Sequence, residues 1–216
     1  HRGVQFYLLL DDFLPVAGGI PAYCRSKDGG EFWACLVEKA WAKICFSYSN
    51  LVPDSGGGVP IEMVLSGLCR GNPGSMPLDT KSPHSGAHAK RLIQQNKVFP
   101  KMAWVAQQGG CMVLGTHEGR DRNGIVAEHG YSVLDVVEVE GFRLMKLRNT
   151  WGNTEWTGAW SDKSKLWGEH PNVKARCNPS TKNDGIFWMA YQDFLQYFDQ
   201  LTYTVGTGPV GDLEED

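Results

Sequence analysis

The sequence predicts an α+β fold in which a helical first part is followed by a lobe of mostly antiparallel β-strands. Apolar residues recur at helical spacing between Glu31 and Ile44, which predicts a long helix there. A glycine-rich stretch at residues 53–58 has a composition in which little can pack, so we expect a boundary between the two parts at Gly56. After Gln107, short β-like runs separated by turn residues dominate the chain.

The remaining elements follow from the same patterns. The helix at residues 31–44 is expected to be largely buried, because apolar residues cover most of its surface. The Gly-, Pro- and Ser-rich passage at residues 70–87 is expected to be a surface loop. Further helices are predicted at residues 61–68, 100–107 and 191–198. Strands are predicted at residues 4–10, 111–116, 131–139, 142–147 and 203–205, with a hairpin turn at Gly141.

Composition excludes several classes of protein. The 216 residues carry a formal net charge of -3 with scattered Lys and Arg, so we expect no binding surface for nucleic acid or for an anionic membrane. The longest apolar runs are too short to cross a bilayer, so we expect no membrane span. The six cysteines include no CxxC pair, which argues against a zinc ribbon and indicates reduced thiols in a cytoplasmic protein.

One histidine and one asparagine occupy positions suited to catalysis. His129 stands directly before a predicted strand and after a polar passage, so its ring is held on a rigid element beside a loop. Asn149 ends the next strand, and the hairpin brings the two strand ends together. An asparagine amide can accept the ring N–H of a histidine, and the indole of Trp151 can shield that bond from water. Either residue taken alone is more often structural than catalytic, and Trp151 fits a packed core indole equally well.

Four sequence blocks resemble those of calpain-type cysteine proteases. Two of them surround His129 and Asn149: Glu128-His129-Gly130-Tyr131-Ser132-Val133, and Arg148-Asn149-Thr150-Trp151-Gly152 to Glu155-Trp156-Thr157-Gly158. The other two are Glu31-Phe32-Trp33 to Glu38-Lys39-Ala40-Trp41-Ala42-Lys43, and Asp184-Gly185 to Phe187-Trp188-Met189. The blocks stand in the family's order and span most of the chain, which makes the resemblance specific.

The resemblance implies a papain-like cysteine protease fold of two lobes and an intracellular endopeptidase that cleaves proteins or peptides with a Cys-His-Asn triad. Residues 1–55 would be the end of the helical, cysteine-bearing first lobe. Residues 56–205 would be the complete antiparallel β lobe, and residues 206–216 an acidic tail. In this interpretation His129 is the catalytic acid and base, Asn149 orients it, and Trp151 supports their hydrogen bond.

The nucleophile that the resemblance implies is missing. The family's cysteine lies in a Gly-Asp-Cys-Trp-like string at the start of a helix, and no such string occurs in this sequence. Cys35 lies inside a predicted helix and Cys111 begins a predicted strand, so neither occupies the helix N-terminus that activates a thiol, and both are expected to be small buried hydrophobes. The chain opens at His1 without methionine, directly in a strand-like run, which favours a nucleophile upstream of His1 over a protein that lacks one.

The resemblance also implies calcium as a cofactor, which in proteins takes about six to eight oxygen ligands. Glu155, Asp162 and Asp184 match acidic positions of the family's second-lobe calcium site, and the carbonyl of Lys182 is a further candidate ligand. Ile186 stands where the family has a carboxylate, so charge and ligands are lost together. This departure argues against calcium binding and favours three solvated surface acids.

Two other functions remain open. The incomplete calcium site suggests a non-catalytic calpain-like scaffold within a larger protein assembly, which serine, glycine or lysine at the nucleophile position would favour. A calcium-sensing module without protease function requires the calcium binding that Ile186 argues against. Without its nucleophile, the chain alone is not expected to hydrolyse peptides. His84 and His88 have the spacing of a metal pair, but they fall in the expected loop without acidic companions.

Overall fold

A computed structural model describes residues 7–26, 30–51, 59–69 and 72–205. The chain divides into two compact units, His1–Val64 and Leu65–Asp216. The boundary expected at Gly56 and the acidic tail expected at residues 206–216 lie outside the described residues. Of the strand predicted at residues 4–10, residues 7–10 are described and form neither strand nor helix, so the prediction is wrong for this part.

The described part of the first unit contains little regular structure. Strands β1 (Val16–Ala17) and β2 (Ile20–Pro21) form an antiparallel pair, α1 spans Trp33–Ile44, and one turn of 3₁₀ helix spans Tyr48–Leu51. The predicted helix is confirmed, but its predicted burial is wrong. Only Cys35 and Ala42 of α1 are buried, and Trp33 is 63% exposed. Strands of two residues offer too little apolar surface to cover a helix of this length.

A six-stranded antiparallel sheet organises the second unit. Its strands are β3 (Gly74–Pro77), β4 (Cys111–Thr116), β5 (Gly130–Val139), β6 (Phe142–Asn149), β7 (Ile186–Ala190) and β8 (Phe198–Thr204). The helices that precede or accompany it are α2 (Ile61–Leu68), α3 (Gly86–Gln94), α4 (Val98–Gln107), α5 (Leu166–Glu169), α6 (Pro171–Cys177) and α7 (Tyr191–Tyr197). The strand order is β3-β8-β4-β5-β6-β7, with every neighbouring pair antiparallel. The predicted α+β class is confirmed.

The β5–β6 hairpin positions the candidate site. Its turn consists of Glu140 and Gly141, whose φ angles of 49° and 81° are those of the tight turns that suit the twist of antiparallel strands. The pairing runs from Val139 opposite Phe142 to Tyr131 opposite Asn149, so the start of β5 lies beside the end of β6. The hairpin predicted at Gly141 is therefore confirmed, with β6 two residues longer than the predicted strand.

Apolar side chains cover both faces of the hairpin. Val136 and Met145 belong to the main core, in which α4 and α7 pack on the sheet, whereas their neighbours Val137 and Leu144 belong to a second cluster. Successive residues of a strand point to opposite faces, so the two clusters lie on opposite sides of the sheet. The second cluster includes three indoles, those of Trp160, Trp167 and Trp188. The hairpin is thus clamped from both sides, which makes it a rigid support for residues at its open end.

The prediction of a surface loop at residues 70–87 is wrong in part. Residues 74–77 form the edge strand β3, Leu78 is buried, and α3 begins at Gly86 and includes His88. Local composition missed the strand because β3 takes its partner from the far end of the sequence, where Gly74 lies opposite Tyr203. A Cβ atom at Gly74 would lie 2.5 Å from the Tyr203 ring, so a larger residue there would displace that ring.

Other predictions have mixed outcomes. The last strand begins at Phe198 instead of residue 203, which shortens the preceding helix to Tyr197. All six cysteines carry free thiols, as predicted. Cys35 is buried as expected, but Cys111 is exposed because it opens strand β4. Within the described residues, no helix is both long enough and apolar enough to span a membrane.

Candidate active site

His129 is anchored at the start of β5 through its main chain. Its N–H donates to Thr116 Oγ1 at 2.9 Å, and its carbonyl accepts from the N–H of Thr116 at 3.1 Å. Thr116 is buried at the end of β4, so the histidine backbone is fixed to the sheet. The preceding residue, Glu128, adopts a left-handed φ of 49°, which is unfavourable for a residue with a side chain and occurs at sites where the surrounding structure holds it.

Asn149 faces His129 across the open end of the hairpin. Its Oδ1 lies 2.9 Å from Nε2 of His129 and accepts the N–H of Trp151 at 3.0 Å. Its Nδ2 donates to the carbonyl oxygens of Asn153 and Thr154 at 2.8 and 3.0 Å. The asparagine is 0% exposed, and its side-chain amide has partners on both of its atoms. The sequence predicts this pair as neighbours, and the structure brings the two side chains into hydrogen-bond contact.

These contacts fix the orientation of the amide and, through it, the tautomer of the imidazole. A carbonyl oxygen can only accept a hydrogen bond, so the atom of the Asn149 amide that faces the carbonyls of Asn153 and Thr154 must be the NH₂ group. Oδ1 therefore faces His129, and Nε2 must donate to it. In the neutral ring this places the lone pair on Nδ1, which is the atom left to accept a proton. An asparagine at this position orients the imidazole without adding charge.

Aromatic rings flank the His129 side chain. The Trp151 ring centroid lies 4.5 Å from the imidazole centroid at an angle of 45°, and the Tyr131 ring centroid lies 5.2 Å away in a nearly perpendicular arrangement. Trp151 is 61% exposed, so the alternative of a packed core indole is wrong. It lies over the histidine on its solvent side, which is where an indole can limit water access to the hydrogen bond.

Two residues near His129 were missed by sequence reasoning. Thr150 Oγ1 lies 3.4 Å from Nε2 of His129, as a second and longer contact of that atom. Thr116 holds the histidine main chain but lies 13 residues earlier in the sequence. The register of the hairpin is the signal that could have found Thr150, because Asn149 pairs with Tyr131 and its neighbour must then face the start of β5. No local signal marks Thr116.

The three candidate calcium ligands share one electrostatic environment. Glu155 Oε1 accepts the N–H groups of Asp184 and Gly185 at 2.8 and 2.7 Å, and Asp184 Oδ1 accepts the N–H of Ile186 at 3.0 Å. Burial, and then the nearby charges of Glu155 and Asp184, raise the pKa of Asp162 to about 6. Asp162 Oδ2 is buried and has no hydrogen-bond partner in the described part of the chain.

As arranged, these acids do not fit a calcium site. Two of the three carboxylates already use an oxygen on backbone N–H groups, and Ile186 supplies no side-chain oxygen. Among the described residues, no group of three His, Cys, Asp or Glu side chains is close enough to hold a metal ion. The expectation that these acids do not bind calcium stays a prediction, and the following variant tests it.

Replacing Asp162 by asparagine is expected to stabilise the protein at about pH 7.5, by roughly 1 kcal/mol once the partial exposure of the group is taken into account. The raised pKa means that the folded state binds a proton more tightly than the unfolded state. The stability of the parent chain therefore falls as the pH rises from about 4 through about 6, and the variant lacks this loss. Urea denaturation of both proteins at about pH 4 and about pH 7.5 measures the difference.

Glu169→Gln on the exposed end of α5 is the matched control, since it removes a carboxylate without these neighbours. Repeating the titrations with millimolar calcium tests the metal. A rise in stability of the parent chain with calcium, absent in Asp162→Asn, would show that the acids do bind the ion. Equal stability of Asp162→Asn and parent at about pH 7.5 would contradict the charge repulsion inferred here.

Comparison with known proteins places the chain among proteases. The sequence model described as "calpain family cysteine protease" matches residues 1–204. The chain is 34% identical over 206 residues to calpain-type cysteine protease ADL1 of Oryza sativa subsp. japonica. This alignment covers 93% of this chain and 9% of the rice protein. It is 31% identical over 215 residues to calpain-5 of Mus musculus, with coverage of 90% and 32%. Calpain clp-4 of Caenorhabditis elegans is 32% identical over 213 residues, with coverage of 93% and 27%. The chain thus spans less than a third of the length of these relatives.

Proposed function

Because the chain belongs to the calpain family of cysteine proteases, we propose that it forms the His/Asn-bearing part of an intracellular cysteine endopeptidase. Its substrates are proteins or peptides, and its reaction is hydrolysis of the peptide bond through a Cys-His-Asn triad. His129 is the acid and base of this triad, Asn149 orients it, and Trp151 limits the access of water. The nucleophilic cysteine of this triad is not one of the six in this chain.

In the proposed reaction, the cysteine thiolate attacks the carbonyl carbon of the scissile peptide bond while the imidazole of His129 is protonated. The imidazolium then gives its Nδ1 proton to the departing amine, which leaves a thioester on the enzyme. Water attacks this thioester as His129 takes one of its protons, and the C–S bond then breaks, which releases the acid product and restores the thiolate beside the protonated imidazole. Asn149 keeps its hydrogen bond to Nε2 throughout, so Nδ1 faces the reaction at each step.

The observation that carries the proposal is the fixed direction of the Asn149 amide. A structural asparagine at a strand end needs only to satisfy its own polar atoms, and any donor could serve its Oδ1. Here two backbone carbonyls force Oδ1 toward an imidazole that is only partly buried and is left with one basic nitrogen. Such a ring is held in one tautomer, as general base catalysis requires.

Labelling of the natural, full-length protein with an irreversible thiol-directed peptidyl inhibitor tests the proposal. We expect modification of one cysteine upstream of His1, and loss of this modification in His129→Ala, because the thiolate forms only with its imidazole partner. His170→Ala is the matched control, since His170 packs between Phe142 and Trp160 and lies outside the site. Modification that persists in His129→Ala would contradict the triad. So would specific labelling of Cys35 or Cys111.

A second candidate is a non-catalytic scaffold that keeps the calpain fold for protein assembly. The observation in its favour is the acidic cluster, in which Glu155 and Asp184 accept backbone N–H groups and Ile186 supplies no side-chain oxygen. Under this hypothesis no cysteine of the folded full-length protein reacts specifically with the inhibitor, with or without calcium. The residue at the nucleophile position would then be serine, glycine or lysine.

We also propose a cytoplasmic location for this enzyme. Its six cysteines are all free thiols, including the exposed Cys24 and Cys111, which is typical of proteins kept in a reducing compartment. Within such a compartment the catalytic thiol would also stay reduced.

A further inference from the structure

A polar cleft of about 700 Å³ lies in the second unit beside the segment that leads to His129. Three pieces of chain line it: the turn after β3, the loop between β4 and β5, and the end of α7. Its floor includes the buried side chains of Leu78, Ile125 and Val126. None of the proposed catalytic residues lines this cleft, so the triad leaves it without a role.

Three cations surround the cleft without engaging an acid. They are Lys81, Arg120 and Arg122, whereas the ion pairs formed by the described residues use Lys39, Arg143 and Arg176. Two acids also line the cleft, and one of them, Asp79, accepts the backbone N–H of Lys81 at 2.8 Å. The lining thus carries three cations against two acids, a small positive excess in a chain whose net charge is -3.

The turn that carries Arg122 is rigid. Arg122 and Ile125 exchange backbone hydrogen bonds of 3.0 and 2.9 Å, and the N–H of Thr157 donates to the carbonyl of Asn123 between them. A Cβ atom at Gly124 would lie 1.8 Å from the carbonyl oxygen of Glu155, so the turn lies directly against that chain. The Arg122 guanidinium carbon lies 5.1 Å from the centroid of the Tyr197 ring. A guanidinium held in this way loses little freedom on binding a ligand.

The cleft is joined to the proposed active site by the backbone. Thr116 lines the cleft and holds the main chain of His129, and Ala127 lines it two residues before that histidine. An extended chain advances about 3.3 Å per residue. A polypeptide bound at His129 therefore needs only a few residues to bring a side chain into the cleft.

We propose that this cleft binds an acidic side chain of the polypeptide substrate, so that the protein selects carboxylate-rich segments near the cleaved bond. A guanidinium offers two parallel N–H groups to a carboxylate, and Arg122 on its rigid turn and Arg120 beside it are placed to use this geometry. The apolar floor suits the methylene groups of glutamate. The substrate role rests on the proposed protease function, but the binding site itself does not.

Fluorescence anisotropy with the 216-residue chain tests the proposal without needing catalysis. The probes are a labelled glutamate-rich peptide and the same peptide with glutamine at every glutamate. We expect the glutamate peptide to bind at least about tenfold more tightly, and Arg120→Gln combined with Arg122→Gln to remove this preference. Lys174→Gln on the exposed face of α6 removes one positive charge away from the cleft and is expected to change nothing.

Arg122→Lys separates geometry from charge, because it keeps the charge and loses the planar fork. We expect this variant to retain its fold and to lose most of the preference. Equal binding of the two peptides, or an unchanged preference in the double arginine variant, would overturn the proposal. Displacement of the peptide by inorganic phosphate at the same concentration as by free glutamate would also overturn it, since it would indicate a general anion site.

The outcome is independent of the triad. If the glutamate peptide binds but the full-length protein shows no inhibitor labelling, the cleft is supported as a carboxylate site and the protease function is contradicted. If the full-length protein is labelled but the chain shows no preference for the glutamate peptide, the protease function is supported and the proposed carboxylate site is contradicted.

Discussion

Replacing Asn149 by aspartate is expected to destabilise the protein by about 3 kcal/mol at about pH 7.5 and by much less at about pH 5. The new oxygen takes the place of the amide nitrogen and faces the carbonyl oxygens of Asn153 and Thr154. At 0% exposure, a carboxylate there is desolvated and opposed by two acceptors, and we expect these effects to raise the pKa of the introduced group more than the His129 imidazole lowers it. Stability is then lost as the pH rises above the unfolded pKa of about 4.

Urea denaturation of the variant across this range of pH measures the effect. Asn149→Ala is the control, because it removes the same hydrogen bonds without introducing a titrating group, and its loss of stability is expected not to change with pH in this way. An Asn149→Asp variant as stable as the parent at about pH 7.5 would mean that the amide does not face the two carbonyls. The tautomer assigned to His129 would then lose its basis.

Gly185→Ala is expected to cost about 3 kcal/mol or more and to disturb the site itself, because overpacking and backbone strain add at this position. Gly185 has a φ of 81°, and an added Cβ would lie 2.8 Å from the carbonyl oxygen of Asn149 and from Cα of Gly152. The carbonyl of Gly185 also accepts the N–H of Asn149 at 2.8 Å. A shift of this backbone therefore moves the residue that orients His129.

Gly141→Ala is a close control, because Gly141 has the same φ of 81° but no heavy atom of the described residues within 4 Å of the added Cβ. We expect it to cost only about 1 kcal/mol, the strain of a left-handed alanine. Thermal and urea unfolding of both variants separate strain from steric overlap. Similar losses in the two variants would show that the contact with Asn149 does not matter.

The elements that local sequence predicts are those whose pattern is contained within them. The hairpin from β5 to β6 is an example, since its turn glycine and its alternating apolar residues lie within one short segment. Helix α1 is also predicted correctly, but its predicted burial is wrong, because burial depends on what other segments place against a helix. The spacing of apolar residues identifies the apolar face of a helix, but it does not show whether another segment packs against that face.

The elements that were missed depend on distant partners. Strand β3 has a composition typical of a loop and becomes a strand because β8 hydrogen-bonds to it. Strand β7 was recognised only as part of a family block, and its partner is β6. The residue pattern within either segment does not predict that two strands so far apart in the sequence will pair.

The candidate site shows the same division. His129 and Asn149 could be predicted as neighbours because one hairpin joins them. The contacts that fix the orientation of the Asn149 amide could not be predicted from the sequence. They depend on the carbonyls of Asn153 and Thr154, which lie beside the amide only once the turn has folded. The cleft with Arg120 and Arg122 was also not predicted, because scattered arginines in a sequence give no sign of convergence.

The position of β8 in the sheet has a consequence for the order in which the protein assembles. β8 is the last strand of the described residues, yet it lies between β3 and β4. During synthesis, β3 and one edge of β4 leave the ribosome on the order of ten seconds before their partner at ordinary rates of elongation. Thr116, which holds His129, pairs with Phe198 of this late strand. The histidine is therefore expected to gain its final support only after β8 has emerged, and until then two unpaired strand edges are open to chaperones and to misassembly.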